Sequence, residues 1–140
     1  MTTIAYRDGI IAADTLTTSS GGILSRASVK IGGRGGVLWC TSGDSAWGKA
    51  FRDWISTGMK GEVERPEEGS GATIFLPNGD IVVYHINGYE LRLGLPFWAE
   101  GSGADFAIGA MQVGATAEQA VAAAMAWDHR TGGEIKVLKQ

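Results

Sequence analysis

Asp8-Gly9 stands between two short runs, Thr2 to Arg7 and Ile10 to Asp14, and predicts that they fold as a β-hairpin. A two-residue type I′ turn needs positive φ at both central positions; Gly reaches it freely and Asp tolerates it. Ala72 to Leu76, Pro77-Asn78-Gly79-Asp80 and Ile81 to Ile86 repeat the hairpin pattern further on. Between them, Thr15 to Gly22 reads as a strand end or a loop. Ser28 to Ile31 reads as a short strand closed by Gly32, Gly33, Gly35 and Gly36, and Val37 to Thr41 as a buried strand. Tyr89 to Leu93 and Phe97 to Glu100 add strands.

The period changes twice. Trp47, Ala50, Phe51, Trp54 and Ile55 recur at helical spacing after Asp44 and Ser45, which predicts a capped amphipathic helix ending near Gly58. Met59 to Gly71, charged and carrying Pro66, reads as an exposed connection. Gly103 to Val113 and Thr116 to Trp127 are Ala-rich helices, and Thr116 with Gln119 has capping-box spacing. Gly132-Gly133 stops the last helix and Glu134 to Leu138 returns as a strand. Strands, a helix, strands, two helices and a strand predict one α+β layered domain over residues 1–140.

Composition narrows the function classes. Apolar residues are 44% and charged residues 19%, with a formal net charge of -3. Basic residues are scattered singly, so no surface is expected to neutralise nucleic-acid phosphates or an anionic membrane. No apolar stretch approaches the roughly 20 residues of a membrane helix. No secretion signal opens the chain and its single cysteine, Cys40, has no disulfide partner within it, which points to the cytoplasm. Two isolated histidines, His85 and His129, and one cysteine make no metal pattern, so neither metal nor cofactor is expected. The phosphate-binding loop, the dinucleotide fingerprint and the serine-hydrolase elbow are all missing from the sequence.

The candidate chemistry lies in short polar pieces. Thr2 follows the initiator Met1; removal of Met1 leaves a free α-amino group with an ordinary pKa of about 7.7–8.0. That amine can take the proton of the Thr2 hydroxyl, so base and nucleophile share one residue. Asp14 and Lys30 each end a β-like run. A lysine ammonium near Thr2 would lower the amine's pKa, with Asp14 holding the lysine. Thr41-Ser42-Gly43-Asp44 and Gly101-Ser102-Gly103-Ala104 follow strands and can present backbone N–H groups to an oxyanion. Asp128 and Thr131 lie in the turn that closes the last helix. Each piece alone also has a plain structural reading as a surface pair, a turn or a helix stop.

In this order and spacing, the pieces resemble the proteasome β-subunit family, including the bacterial HslV peptidase. The resemblance rests on Thr2-Thr3-Ile4-Ala5, Ala12-Ala13-Asp14, Ser28-Val29-Lys30-Ile31, Trp39 to Asp44, Gly101 to Ala104, and Asp128 to Gly133. It implies an N-terminal-nucleophile hydrolase sandwich of two antiparallel sheets flanked by helices. The helical layer is reduced, because only Asp44 to about Gly58 stands where such proteins carry two helices. It implies Thr2 as nucleophile, its amine as base, Lys30 as the pKa-lowering cation, Asp14 as its partner and the Gly43 N–H as oxyanion donor. Ser102, Asp128 and Thr131 are implied to hydrogen-bond around Thr2 and its amine.

The implied activity is that of a threonine-type endopeptidase acting on peptides or unfolded proteins. Around the specificity pocket the resemblance sets Thr17, Ser28, Gly32, Thr41 and Ser45, all small and neutral, so uncharged side chains are expected there. A homo-oligomer is also implied, and the shortened helical layer leaves both a ring arrangement and an ATPase regulator open. Trp47, Trp54, Phe97, Trp98 and Trp127 are expected to help form subunit contacts. Two other readings stand beside the peptidase: an inactive assembly or binding protein on the same fold, and an amidase acting on a small amide.

Overall fold

The computed structural model describes residues 2–140. Along the chain run β1 (Thr3–Arg7), β2 (Ile10–Asp14), β3 (Thr17–Ser19), β4 (Gly22–Ser25), β5 (Ile31–Arg34) and β6 (Val37–Ser42). Then come α1 (Ser45–Ser56), β7 (Gly71–Phe75), β8 (Ile81–His85), β9 (Gly88–Arg92) and β10 (Phe97–Gly101). The chain closes with α2 (Ala104–Gln112), α3 (Ala117–Trp127) and β11 (Ile135–Lys139). One antiparallel sheet has the order β10-β1-β2-β11 and a second the order β5-β6-β7-β8-β9. The first hairpin turns through Asp8 at φ 53° and Gly9 at φ 73°, as a type I′ turn requires.

Alternation along β1 and β2 sorts the layers. Ile4, Tyr6, Ile11 and Ala13 face the second sheet and pack on Ile31, Leu38, Cys40, Phe75 and Ile81. The rings of Tyr6 and Phe75 stack there at 4.3 Å. Ala5 and Ala12 point the other way, onto Ala107, Met111, Ala117, Ala120 and Val121 of α2 and α3. Their small side chains let both helices approach the sheet closely. On the far face of the second sheet, Trp39, Ala72 and Ile74 meet Trp47, Phe51 and Ile55 of α1. Phe51 is fully buried, so Phe51→Ala is expected to cost about 3–5 kcal/mol.

Asp44 is the N-cap of α1, accepting from Trp47 N–H at 2.9 Å, and Ser45 is the first helical residue. Thr116 and Gln119 form the expected capping box at α3. Residues 57–70 contain no helix, so one helix covers this face among the described residues.

Three expectations change. The strand expected over Ser28 to Ile31 begins at Ile31 and runs through Gly32 and Gly33. Lys30 stands just before it, its carbonyl accepting from the Thr41 N–H at 2.9 Å while its side chain reaches Asp14, and Gly32 leaves room for the Trp39 ring. A Cβ at Gly32 would stand 2.5 Å from Trp39 Cε2. Thr15 to Gly22 is not only a loop, since β3 pairs with β4 in a separate hairpin. Ile23 and Leu24 in that hairpin are exposed and leave no burial pattern to read. Of the aromatic residues expected at subunit contacts, Trp47 is buried, and Trp54, Phe97 and Trp98 are partly buried against the core clusters. Only Trp127 of that group is largely exposed, at 79%.

A polar clip joins the two sheets. Glu100 of β10 accepts from Thr73 Oγ1 at 2.6 Å, Trp98 Nε1 at 3.1 Å and Cys40 Sγ at 3.1 Å. Burial, reinforced by Glu100, pushes the Cys40 thiol well up, so it stays a protonated donor. No helix among the described residues is long and apolar enough to cross a membrane.

Candidate active site

Asp14 ends β2 and is only 1% exposed, where a charge needs partners. It has three: Lys30 Nζ at 2.7 Å and Thr3 N–H at 3.0 Å on Oδ1, and Gly132 N–H at 3.1 Å on Oδ2. Lys30 is itself buried and also donates to the Leu16 carbonyl at 2.5 Å. Burial drives its ammonium below the ordinary lysine value, against the opposing pull of Asp14. One buried pair thus ties together the start of β1, the end of β2, the segment before β5 and the turn after α3.

A second polar chain runs beside it. Gly103 N–H donates to Thr3 Oγ1 at 3.1 Å, and Thr3 Oγ1 lies 2.5 Å from Thr131 Oγ1. Thr131 gives its one hydroxyl proton to Asp128 Oδ2 at 2.6 Å, so Thr3 must donate to Thr131. Ser102 Oγ donates to the same carboxylate oxygen at 2.6 Å, and Arg130 N–H to Oδ1 at 3.2 Å. Ser102, Asp128 and Thr131 therefore do meet, and Thr3 is the residue that connects them to β1. Thr3, fully buried, was not among the sequence candidates. Nothing in its local pattern distinguishes it from Thr2.

Thr2 is buried and immediately precedes β1. The register pairs Thr3 with Gly101, which brings Thr2 beside the Gly101-Ser102 step. The approach is close: a Cβ on Gly101 would stand 1.6 Å from the Thr2 carbonyl oxygen. Thr2 opens into a cavity of about 420 Å³ that Lys30, Thr17, Ser28, Thr41, Gly43 and Ser45 also line. Gly43 has φ 87°, and a Cβ there would meet Gly69 O and Ser70 Cα, both at 2.5 Å. Its position just before α1 turns the positive end of the helix dipole towards the cavity.

Gly32 does not line this cavity; it lies beneath the Trp39 ring. Asp44 and Arg52 do line it, so the wall is not made only of neutral residues. A larger cavity, about 720 Å³, lies on the other side of Lys30 against β11. The two share Ser28, Val29 and Lys30 as a wall, and Thr2 belongs to the smaller.

Among the described residues, no three His, Cys, Asp or Glu side chains gather as a metal group would. His85 instead meets Glu90 at 3.1 Å on the far sheet, and His129 is exposed. The removal of Met1 concerns a residue outside those described.

Asp128 yields a pH test. Burial alone would raise its carboxyl, but Ser102, Thr131, the Arg130 N–H and His129 together hold it below the ordinary value. Its charged form therefore adds stability above the unfolded value near pH ~4, and that contribution is lost as pH falls through the folded value. Asp128→Asn should lower Tm at pH 7, and the gap from the native chain should close below about pH 4. A gap that stays constant across that range would contradict the hydrogen-bonded carboxylate.

No family model matches the chain, and no curated protein matches it. Two solved structures of Thiobacillus denitrificans BPH resemble it, one of them in complex with epoxomicin. Each has a TM-score of 0.70 and 20% identity, and covers 99% of this chain. The matches span 97% and 96% of those chains, so the likeness extends over nearly their whole length. At that identity the likeness speaks for the fold and not for the chemistry. The chain shares its mixed α+β fold with Thiobacillus denitrificans BPH.

Proposed function

We propose that the chain is a threonine-type N-terminal-nucleophile peptidase of the proteasome-like sandwich class, active once Met1 is removed. One observation carries the reading: Thr2 lines the same cavity as Lys30, a buried cation fixed by Asp14. A free Thr2 amine beside that cation is the base. It takes the proton of the Thr2 hydroxyl as Oγ1 attacks the amide carbon, and passes it to the leaving amine as the C–N bond breaks. The resulting ester is opened by water, deprotonated by the same amine, and Oγ1 recovers its proton. The Gly43 N–H is the proposed donor to the oxyanion. The chain Thr3–Thr131–Asp128–Ser102 positions the start of β1 and the Gly101-Ser102 step against each other.

Peptides or unfolded proteins are the proposed substrates and the cytoplasm the proposed compartment. A homo-oligomer is proposed as the working form. Tyr89 and Leu91 on the edge strand β9, with Leu93 just beyond, are exposed at 67%, 56% and 63%, which supports an apolar contact with a second copy.

The test compares two preparations, one beginning at Thr2 and one retaining Met1. The Thr2 form should hydrolyse fluorogenic peptides, and the Met1 form should be slower by orders of magnitude. Epoxomicin, bound by Thiobacillus denitrificans BPH, should block the Thr2 form. Equal rates in both preparations would remove the amine from the mechanism. Two inert preparations would favour the assembly or binding protein on this fold.

A further inference from the structure

Around the cavity at Thr2 the charges are unequal in freedom. Lys30 is neutralised by Asp14 at 2.7 Å. Asp44 spends Oδ2 on the Trp47 N–H at 2.9 Å, and its charge is balanced by the N-terminus of the helix it caps. Arg52 is different. Ser45, Gly48 and Arg52 recur three and four residues apart, so they share the face of α1 that lines the cavity. One guanidinium nitrogen, Nη1, donates to the Val29 carbonyl at 2.9 Å, which anchors the head group against the Ser28–Lys30 wall. None of the ion pairs among the described residues includes Arg52. A guanidinium has five N–H donors, and this one keeps a fork suited to a carboxylate.

We infer that Arg52 sets the specificity of this cavity, which selects peptides carrying a carboxylate side chain, Asp or Glu, at the residue before the cut. The inference rests on the proposed use of the Thr2 cavity and names its substrate class. It replaces the neutral pocket expected from Thr17, Ser28, Gly32, Thr41 and Ser45, because that set omitted Arg52, a cavity-lining side chain that is in none of the ion pairs among the described residues. A neutral cavity discriminates by shape alone, whereas an anchored fork rewards a planar anion and disfavours a cation.

Binding and turnover are measured separately. In Thr2→Ala protein, N-acetylated tripeptide amides ending in Glu, Gln or Lys are titrated by calorimetry. The Glu peptide should bind about tenfold tighter than its Gln isostere, a preference that weakens in high salt. Arg52→Gln should abolish the preference, Arg52→Lys should keep part of it, and Arg52→Glu should turn it towards the Lys peptide. Circular dichroism checks that α1 persists in each. Equal binding of Glu and Gln peptides, a preference unchanged in Arg52→Gln, or no binding of any peptide overturns the inference. Turnover by the Thr2 form then separates the two claims. Hydrolysis with no acidic preference overturns the role of Arg52 and leaves Thr2 standing. Acidic preference in binding without hydrolysis supports Arg52 and removes the peptidase.

Discussion

Lys30→Ala should abolish nearly all turnover and weaken the fold in the same step. Lys30 is only 6% exposed, and its ammonium satisfies both Asp14 and the Leu16 carbonyl. Without it, the buried Asp14 keeps two backbone donors, Thr3 and Gly132, but no counter-charge. Breaking one side of a buried ion pair costs about 3–5 kcal/mol. Stability and catalysis separate in the double variant Lys30→Met with Asp14→Asn. Stability should recover in part, because no unpaired charge remains, while turnover should not. A pH profile adds a readout that packing alone would not move. Loss of a nearby cation raises the pKa of the Thr2 amine, so the acid limb of any residual turnover should move to higher pH. Unchanged turnover in Lys30→Ala, or an unmoved acid limb, would exclude the proposed electrostatic role.

Gly101→Ala should be nearly as damaging, for a steric reason. Gly101 has φ 97°, where an L side chain is strained, and its Cβ would stand 1.6 Å from Thr2 O and 2.5 Å from Thr2 C. Those atoms are backbone, so relief requires β1 and β10 to part at the Thr3–Gly101 pairing. A loss on the order of 3–5 kcal/mol is expected, at the upper end of single substitutions. Protein that still folds should have a displaced Thr2; a shift of about 1 Å is enough to cost roughly 100-fold in rate. Gly94→Ala is the control, since Gly94 has φ 69° with nothing within 4 Å of its added Cβ. It should lose only the conformational term of about 1–2 kcal/mol, with turnover intact. Equal melting temperatures for the two variants would contradict the close packing of Gly101 against Thr2.

Local signals carried the parts of the fold where one residue type had a single physical use. Asp8-Gly9 implied its turn, Asp44 its helix cap, and Thr116 with Gln119 the capping box. Signals failed where the deciding contact was distant. At β5 the Lys30 side chain reaches back to Asp14 and Trp39 covers Gly32, and neither contact is visible in Ser28 to Ile31. The β3–β4 hairpin was missed because Ile23 and Leu24 face solvent and show no burial alternation. Trp47 packs with Phe51 and Ile55 on the core face that their shared helical spacing marks, and not at a subunit contact.

The site divides in the same way. Asp14, Lys30, Ser102, Asp128 and Thr131 were distinguishable as polar residues at element ends, and the fold joins them through carboxylates. Thr3 and Arg52 carry no sequence signal, for opposite reasons. Thr3 looks like any strand residue, and its role exists only because Gly103 and Thr131 arrive from the far end of the chain. Arg52 looks like any charged residue on a helix surface, and only the cavity beside Thr2 makes it special.

Trapping the acyl ester identifies the nucleophile, for which Thr2 is the proposed residue. Protein beginning at Thr2 would be mixed with an activated peptide ester, acid-quenched within the first turnover and weighed intact. It would then be digested to map the adduct. The expected result is a mass increase equal to the acyl group, carried by the N-terminal peptide on Thr2 and absent in Thr2→Ala. An acyl group mapped to Ser102 or any other residue, or turnover with no adduct on the N-terminal peptide, would contradict it.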